Sequence, residues 1–416
     1  MEVINESGTT TVDVRVFRSG ADHEMSIETV DAESVGMSSE RIGWARDLLA
    51  AHVASGRTPS IVTVVMRHGR CVLAEAFGVR GPHGEALDLD DVWPIASAGK
   101  PFTSAVAMTL VEEGRIGIND PVVEYIPELS GPGDDEVLLH HLFTHTAGWE
   151  SAQFTGRLWG HLTSGQLTDP PPGRDLITHL FLSLALDPIR VAAPGVQMHY
   201  DNSHYELLAE IIRRQTGGTR DSALRERIFE PLGMTRSTGI VGDDLRPHLV
   251  TRAPGLPLGP DAPLAFEGPL WESSDSGAAA VHVSAPDLAT FGQMFLDDGV
   301  GNGNAVLSPA SVRALCTNQI PGVPALFGDD VLPEASWGYG FVVYRGRPFA
   351  YFGGGLLPVG SVLHPGAGGS NYWIDFEHGI VGVCFEVITK LSPYLNEPIS
   401  GIGHRFQDVI TAAVVE

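Results

Sequence analysis

The β-branched runs of this chain sit near its two ends, and that separation constrains the fold more than any other feature. Residues 61–66 (IVTVVM) and 71–77 (CVLAEAF) flank His68-Gly69, so they read as a hairpin. Strand-like runs return at 338–344 (GYGFVVY), 359–363 (VGSVL), 371–375 (NYWID) and 380–386 (IVGVCFE). Between the two groups lies a block with helical periodicity. It begins at 101–113, with Pro101 in its first turn and Gly114 as its stop, and continues at 138–144, 174–185, 203–215, 221–230 and 285–297. A helix capped near Ser38 and another at 402–415 bracket the whole. The strand groups have to meet in one sheet. The pattern predicts a discontinuous α/β domain, 25–95 plus 275–416, an inserted helical domain over 96–274, and an N-terminal arm over 1–24. A cleft between sheet and lobe is the expected place for a small-molecule substrate. Segment 150–195, with Pro170, Pro171 and Pro172, reads equally as a site-covering loop or a plain surface excursion.

Composition removes several function classes. With 51 acidic against 26 basic residues the net charge is −25, a field that repels phosphate backbones and anionic lipid. Nucleic-acid and membrane partners are therefore not expected. Cys71, Cys316 and Cys384 are far apart and form no CxxC pair, so they read as reduced, buried thiols. The N-terminal residues MEVINESGTTTVDVRVFRSG lack the apolar core of a secretory signal, and no run approaches the roughly 20 apolar residues of a membrane span. The expectation is a cytoplasmic protein, with homo-oligomerisation left open. No cofactor or metal is expected. His140, His141 and His145 cluster without HExxH-like spacing, and His145 reads as a hydrogen-bonded core residue.

Only two of the 26 basic residues are lysine, Lys100 and Lys390. Lys100 lies three positions after Ser97, in Ser97-Ala98-Gly99-Lys100. Guanidinium does not shed its proton, whereas a desolvated lysine can, so lysine alone could serve as a base here. Positions i and i+3 share a helix face, which puts the amine within reach of the hydroxyl. The apolar approach Val92-Trp93-Pro94-Ile95-Ala96 and the apolar helix that follows favour a neutral amine, because a charged one would face the positive end of the helix dipole. Ser97 and Lys100 thus form a candidate nucleophile and base. The competing reading is a capping serine followed by a solvated lysine.

Two further patches stand out. Tyr200 and Asn202 lie in His199-Tyr200-Asp201-Asn202-Ser203, just before the helix YELLAEIIRRQTGG. A phenol there can relay a proton and a carboxamide can hold an amine, though Asn202 or Ser203 could equally cap the helix. Nearer the C-terminus, His364-Pro365-Gly366-Ala367-Gly368-Gly369-Ser370 leads into a strand. Dense glycine there allows close approach of a ligand to backbone, or simply makes a hairpin turn.

Taken together, the order S-x-x-K, Y-x-N and H-x-G resembles the penicillin-recognising serine hydrolases. Within them the chain is most similar to the class C β-lactamase-like group and its family VIII carboxylesterases. His141-Leu142-Phe143-Thr144-His145-Thr146-Ala147-Gly148-Trp149, Pro231-Leu232-Gly233-Met234-Thr235, Ser284-Ala285-Pro286-Asp287-Leu288 and Trp337-Gly338-Tyr339-Gly340 also resemble segments of that group. The resemblance spans about residues 30–400. It implies the β-lactamase/transpeptidase-like fold, an antiparallel sheet flanked by helices with an all-helical lobe. It further implies that Ser97 forms an acyl-enzyme, with Lys100 and Tyr200 as a base/acid pair in an order left open. Asn202 would orient Lys100 and the substrate carbonyl, and the Ser97 and Ala367 N–H groups would form the oxyanion hole. Substrate contacts would come from Asn202, His364, Gly366, Ala367 and Trp373. Two departures bear on substrate. Pro365 replaces the middle residue of the third motif, and His364 stands where lysine is frequent, which weakens the case for β-lactams and D-peptides. The function expected is hydrolysis of carboxylic esters, with acyl transfer or amide hydrolysis as the alternative.

Overall fold

The computed structural model describes residues 27–81, 83–150, 156–158, 160, 161, 164, 169–251, 269–327, 330–346, 353–388 and 401–416. The arm expected over 1–24 and part of the 150–195 segment lie outside these residues. Helix α1 (Ser39–Ala54) starts where the Ser38 side chain accepts the Arg41 N–H. Strands β1 (Ser60–Arg67) and β2 (Arg70–Gly78) form the hairpin. Its turn residues, His68 at φ 49° and Gly69 at φ 74°, are both left-handed, as a two-residue turn between twisted strands requires. Helix α2 (Lys100–Glu112) follows a tight 3₁₀ turn at Ala96–Gly99 and is buried from Lys100 through Leu110. Helices α3 (Asn202–Thr216) and α4 (Ala285–Leu296) lie further along, with shorter helices such as Leu139–Phe143 and Leu176–Ala185 between them and α2. The chain then returns to the sheet with β3 (Val342–Val343), β4 (Val362–Leu363), β5 (Ser370–Asp375) and β6 (Ile380–Glu386). Helix α5 (Gly403–Ala412) closes it.

The six strands form one antiparallel sheet in the order β3-β4-β5-β6-β1-β2, so residues from both ends of the chain pair directly, Val62 with Phe385 for example. Both sheet faces are covered. Val62, Val64, Tyr372 and Ile374 pack toward Phe291 of α4 and Phe102 of α2. Val65, Leu73 and Trp373 pack on the other face, with Leu49 of α1 and Phe406 of α5. An antiparallel sheet covered by helices on both faces is the arrangement that the resemblance implies. The strand runs expected at 338–344 and 359–363 contract to two residues each. Gly338 and Gly340 are the reason for the first: a Cβ on Gly340 (φ 123°) would lie 2.6 Å from Ser104 Oγ, so the backbone leaves the pleat to lie against α2.

Candidate active site

The 3₁₀ turn that carries Ser97 is wedged against the sheet. Ser370 Oγ donates to the Ile95 carbonyl at 2.7 Å, and a Cβ on Gly366 would sit 2.0 Å from that same oxygen. Only glycine permits that approach, which brings the Gly366–Ala367 backbone alongside the Ser97 turn. Ala96, just before Ser97, adopts φ 47°, a left-handed conformation that costs on the order of 1 kcal/mol for a residue with a Cβ. Among the described residues the Ala367 N–H has no protein acceptor.

Lys100 is the buried centre of the site, 0% exposed. Its Nζ lies 3.0 Å from Ser97 Oγ and donates to Asn202 Oδ1 at 2.9 Å and to the Ala278 carbonyl at 3.1 Å. Both carbonyl oxygens can only accept, so they take two hydrogens of the amine. In a neutral amine the position left facing Ser97 is the lone pair. Burial lowers the Lys100 pKa from 10.5 to about 7, against the opposing charges of Glu206 and Asp201.

Tyr200 stands over the same pair, its ring 4.8 Å from Lys100 Nζ, and its phenol hydrogen-bonds Ser97. Burial drives that phenol well above its ordinary pKa, with the Ser97 bond opposing. The short strand Met198–His199, paired in parallel with Ala325 and Leu326, anchors the chain just before it. The helix cap is neither Asn202 nor Ser203. Asp201 takes that role by accepting the Ser203 N–H at 2.8 Å, and Asn202, the first helical residue, is left to hold Lys100.

His364 lies behind Tyr200 and Trp337, its ring 6.2 Å and 5.6 Å from theirs, and is 1% exposed. Its Nδ1–H donates to the Pro365 carbonyl at 2.8 Å, and burial, aided by Lys100, lowers its pKa to about 3. His364 is therefore a neutral imidazole and brings no cation. Trp373 departs from expectation. It alternates with Tyr372 and Ile374 along β5, faces away from the Ser97 turn, and packs 5.9 Å from Phe406. It cannot meet a substrate at Ser97.

Glu206 went unnoticed in the sequence. It lies one turn after Asn202 on α3 and is buried, accepting from Ser276 Oγ at 2.5 Å and from the Gly277 and Ala278 N–H groups at 3.2 Å. It thereby holds the turn whose Ala278 carbonyl takes a Lys100 hydrogen. Burial raises the Glu206 pKa to about 7. A glutamate directly before the apolar stretch Leu207-Leu208-Ala209 was the available signal. Among the described residues no group of histidine, cysteine and carboxylate side chains is placed to hold a metal, and no helix is long and apolar enough to cross a membrane.

Known proteins resemble this chain. A family model described as Beta-lactamase matches residues 45–387. The chain belongs to the beta-lactamase family. Penicillin-binding protein 4 of Amycolatopsis lactamdurans is 29% identical over 270 residues, 63% of this chain and 65% of that protein. Esterase EstB of Burkholderia gladioli is 27% identical over 209 residues, covering 48% of this chain and only 52% of the esterase. Among solved structures, that titled EstCE1, a hydrolase with promiscuous acyltransferase activity, superimposes with a TM-score of 0.66 at 19% identity, over 90% of this chain and 98% of that one. The matches to these two curated relatives thus leave a third to a half of each relative's length unspanned. Its fold is that of the beta-lactamases.

Proposed function

We propose that this family member hydrolyses uncharged carboxylic esters through an acyl-Ser97 intermediate. One observation carries the reading. Two carbonyl oxygens hold the hydrogens of Lys100 Nζ, and the remaining position points at Ser97 Oγ 3.0 Å away. Lys100, at about 7, is the base and Tyr200, held protonated, is the relay. Lys100 takes the Ser97 proton as Oγ bonds to the ester carbon. The oxygen that gains negative charge faces the Ser97 and Ala367 N–H groups. As the carbon–oxygen bond breaks, the proton passes through Tyr200 to the leaving alkoxide. Water then attacks the acyl-serine by the reverse relay. The neutral His364 and the missing N–H of Pro365 favour substrates without a carboxylate beside the scissile bond. The esterase among the relatives supports the same choice.

A panel of p-nitrophenyl esters from acetate to decanoate tests this. We expect kcat/KM for the best ester to exceed that for the chromogenic cephalosporin nitrocefin by at least about 100-fold, nearly 3 kcal/mol in transition-state binding. Turnover of nitrocefin without turnover of any ester refutes the proposal. Adding alcohols or amines to the same assay measures acyl transfer by the product partition.

The base reading also fixes a pH dependence. The neutral amine is the active form, so kcat/KM rises as pH climbs through about 7. Glu206 and Asp201 raise the Lys100 pKa, while His145 and His364, both held neutral by burial, add no charge. Glu206→Gln removes one of the two negative charges, so the acid limb should move to lower pH, by about half a unit or more. Because Glu206 itself lies at about 7, the wild-type limb belongs to the coupled pair. An unmoved limb, or one moved upward, contradicts Lys100 as the base.

A further inference from the structure

The two residues flanking Tyr200 both end on one buried histidine. The His199 N–H donates to the His145 carbonyl at 2.8 Å, and the Asp201 N–H donates to His145 Nδ1 at 3.2 Å. The His145 ring lies between, 4.6 Å from the Tyr200 ring. His145 reaches both N–H groups because its backbone is left-handed, φ 58°, which turns its carbonyl and its imidazole toward the same stretch of chain. A left-handed backbone at a buried residue with a Cβ is unfavourable, and here it coincides with contacts to the residue that caps the reacting pair.

The tautomer follows from the partners. A backbone N–H can only donate, so His145 Nδ1 carries no proton. His204, one residue after Ser203 on α3, places its own Nδ1 3.2 Å from that atom and must hold the proton between them. Burial keeps both imidazoles neutral, His204 at about 3. The second histidine thus preserves the first as an acceptor. Both are 0% exposed, so neither can touch a substrate.

We propose that His145 is a positioning residue for Tyr200, a clamp on both neighbouring peptide N–H groups that aims the phenol at Ser97. The inference rests on the reading of Tyr200 as the proton relay. Three demands meet at position 145: a left-handed backbone, an acceptor for Asp201, and a flat face against the phenol. Asparagine meets the first two and alanine only weakly meets any.

The test is a mutant cycle on ester hydrolysis with His145→Ala, His145→Asn, Tyr200→Phe and the two doubles, each checked by circular dichroism. We expect His145→Ala to lower kcat about 10- to 100-fold with KM within about threefold, and His145→Asn to recover part of the loss. In the Tyr200→Phe background the same changes should cost less than about threefold, because the group they aim is gone. Equal factors in both backgrounds overturn the clamp, since a general packing role would be indifferent to the phenol. A Tyr200→Phe enzyme as fast as wild type instead overturns the relay reading, a separate and recognisable result. If His145→Ala does not fold, the His145→Asn cycle decides by the same criterion.

Discussion

Ser97→Ala should lower kcat for ester hydrolysis by roughly 10⁴- to 10⁶-fold, the loss typical when an acyl-forming serine is deleted from an otherwise intact site. The fold should survive. Ser97 is half-buried on a turn fixed by backbone contacts and by the Ser370–Ile95 bond, none of which uses its hydroxyl. Thermal stability should therefore change by less than about 1 kcal/mol. Intact-mass measurement after brief exposure to a short-chain activated ester separates this from a binding defect. The wild-type chain should gain one acyl mass and the variant none, and a fluorophosphonate should label only the former. Neighbouring hydroxyls cannot take over. Ser104 is buried against Tyr205, and Ser203 is buried beneath Asp201. Acylation of the variant at the wild-type rate would mean that the reacting hydroxyl lies elsewhere.

The parts of this site legible in the sequence are the local ones. Ser97 and Lys100 are three residues apart, so helical geometry alone brings their side chains together, and His68-Gly69 between β-branched runs announces a turn on its own. What escaped depends on contacts remote in the chain. Ala278 accepts from Lys100 across 178 positions, and nothing near residue 278 marks its carbonyl as a lysine partner. Glu206 carries no local mark of its partners, because its three donors come from a turn about 70 residues later. Trp373 was misjudged for a different reason. A strand buried on both faces shows no polar alternation, so its sequence cannot say which face meets the site. Register decides it: Ser370 bonds the Ile95 carbonyl, and Trp373, an odd number of residues on, must face away. His145 was read correctly as a buried, hydrogen-bonded histidine, yet its partners were invisible until its backbone was seen to be left-handed.

Lys100→Arg should be nearly as damaging as loss of the nucleophile, at least about 10³-fold in kcat, although it keeps the positive charge. A guanidinium cannot give up a proton in the working pH range, so no lone pair would face Ser97. Retention of more than about a tenth of the activity, under 1.4 kcal/mol lost, would sink the neutral-amine argument. Arginine is also larger than a site with no exposed surface allows, so Lys100→Met supplies the control of similar shape. It too should be inactive, and its stability reports on the charge directly. The wild-type amine titrates at about 7 when folded against 10.5 ordinarily, so between those values the unfolded chain binds the extra proton and wild-type stability rises with pH. Below about 7 the buried ammonium carries its full penalty, up to about 5 kcal/mol for a shift of that size. Lys100→Met escapes that penalty but leaves the Asn202 and Ala278 carbonyls without a donor, so the pH slope is a cleaner measure than the absolute difference. Relative to wild type, the methionine variant should lose its advantage steadily from about pH 7 to pH 10.5 in chemical denaturation. A flat difference across that range would mean that the lysine stays charged in the fold, and a charged lysine cannot take the serine proton.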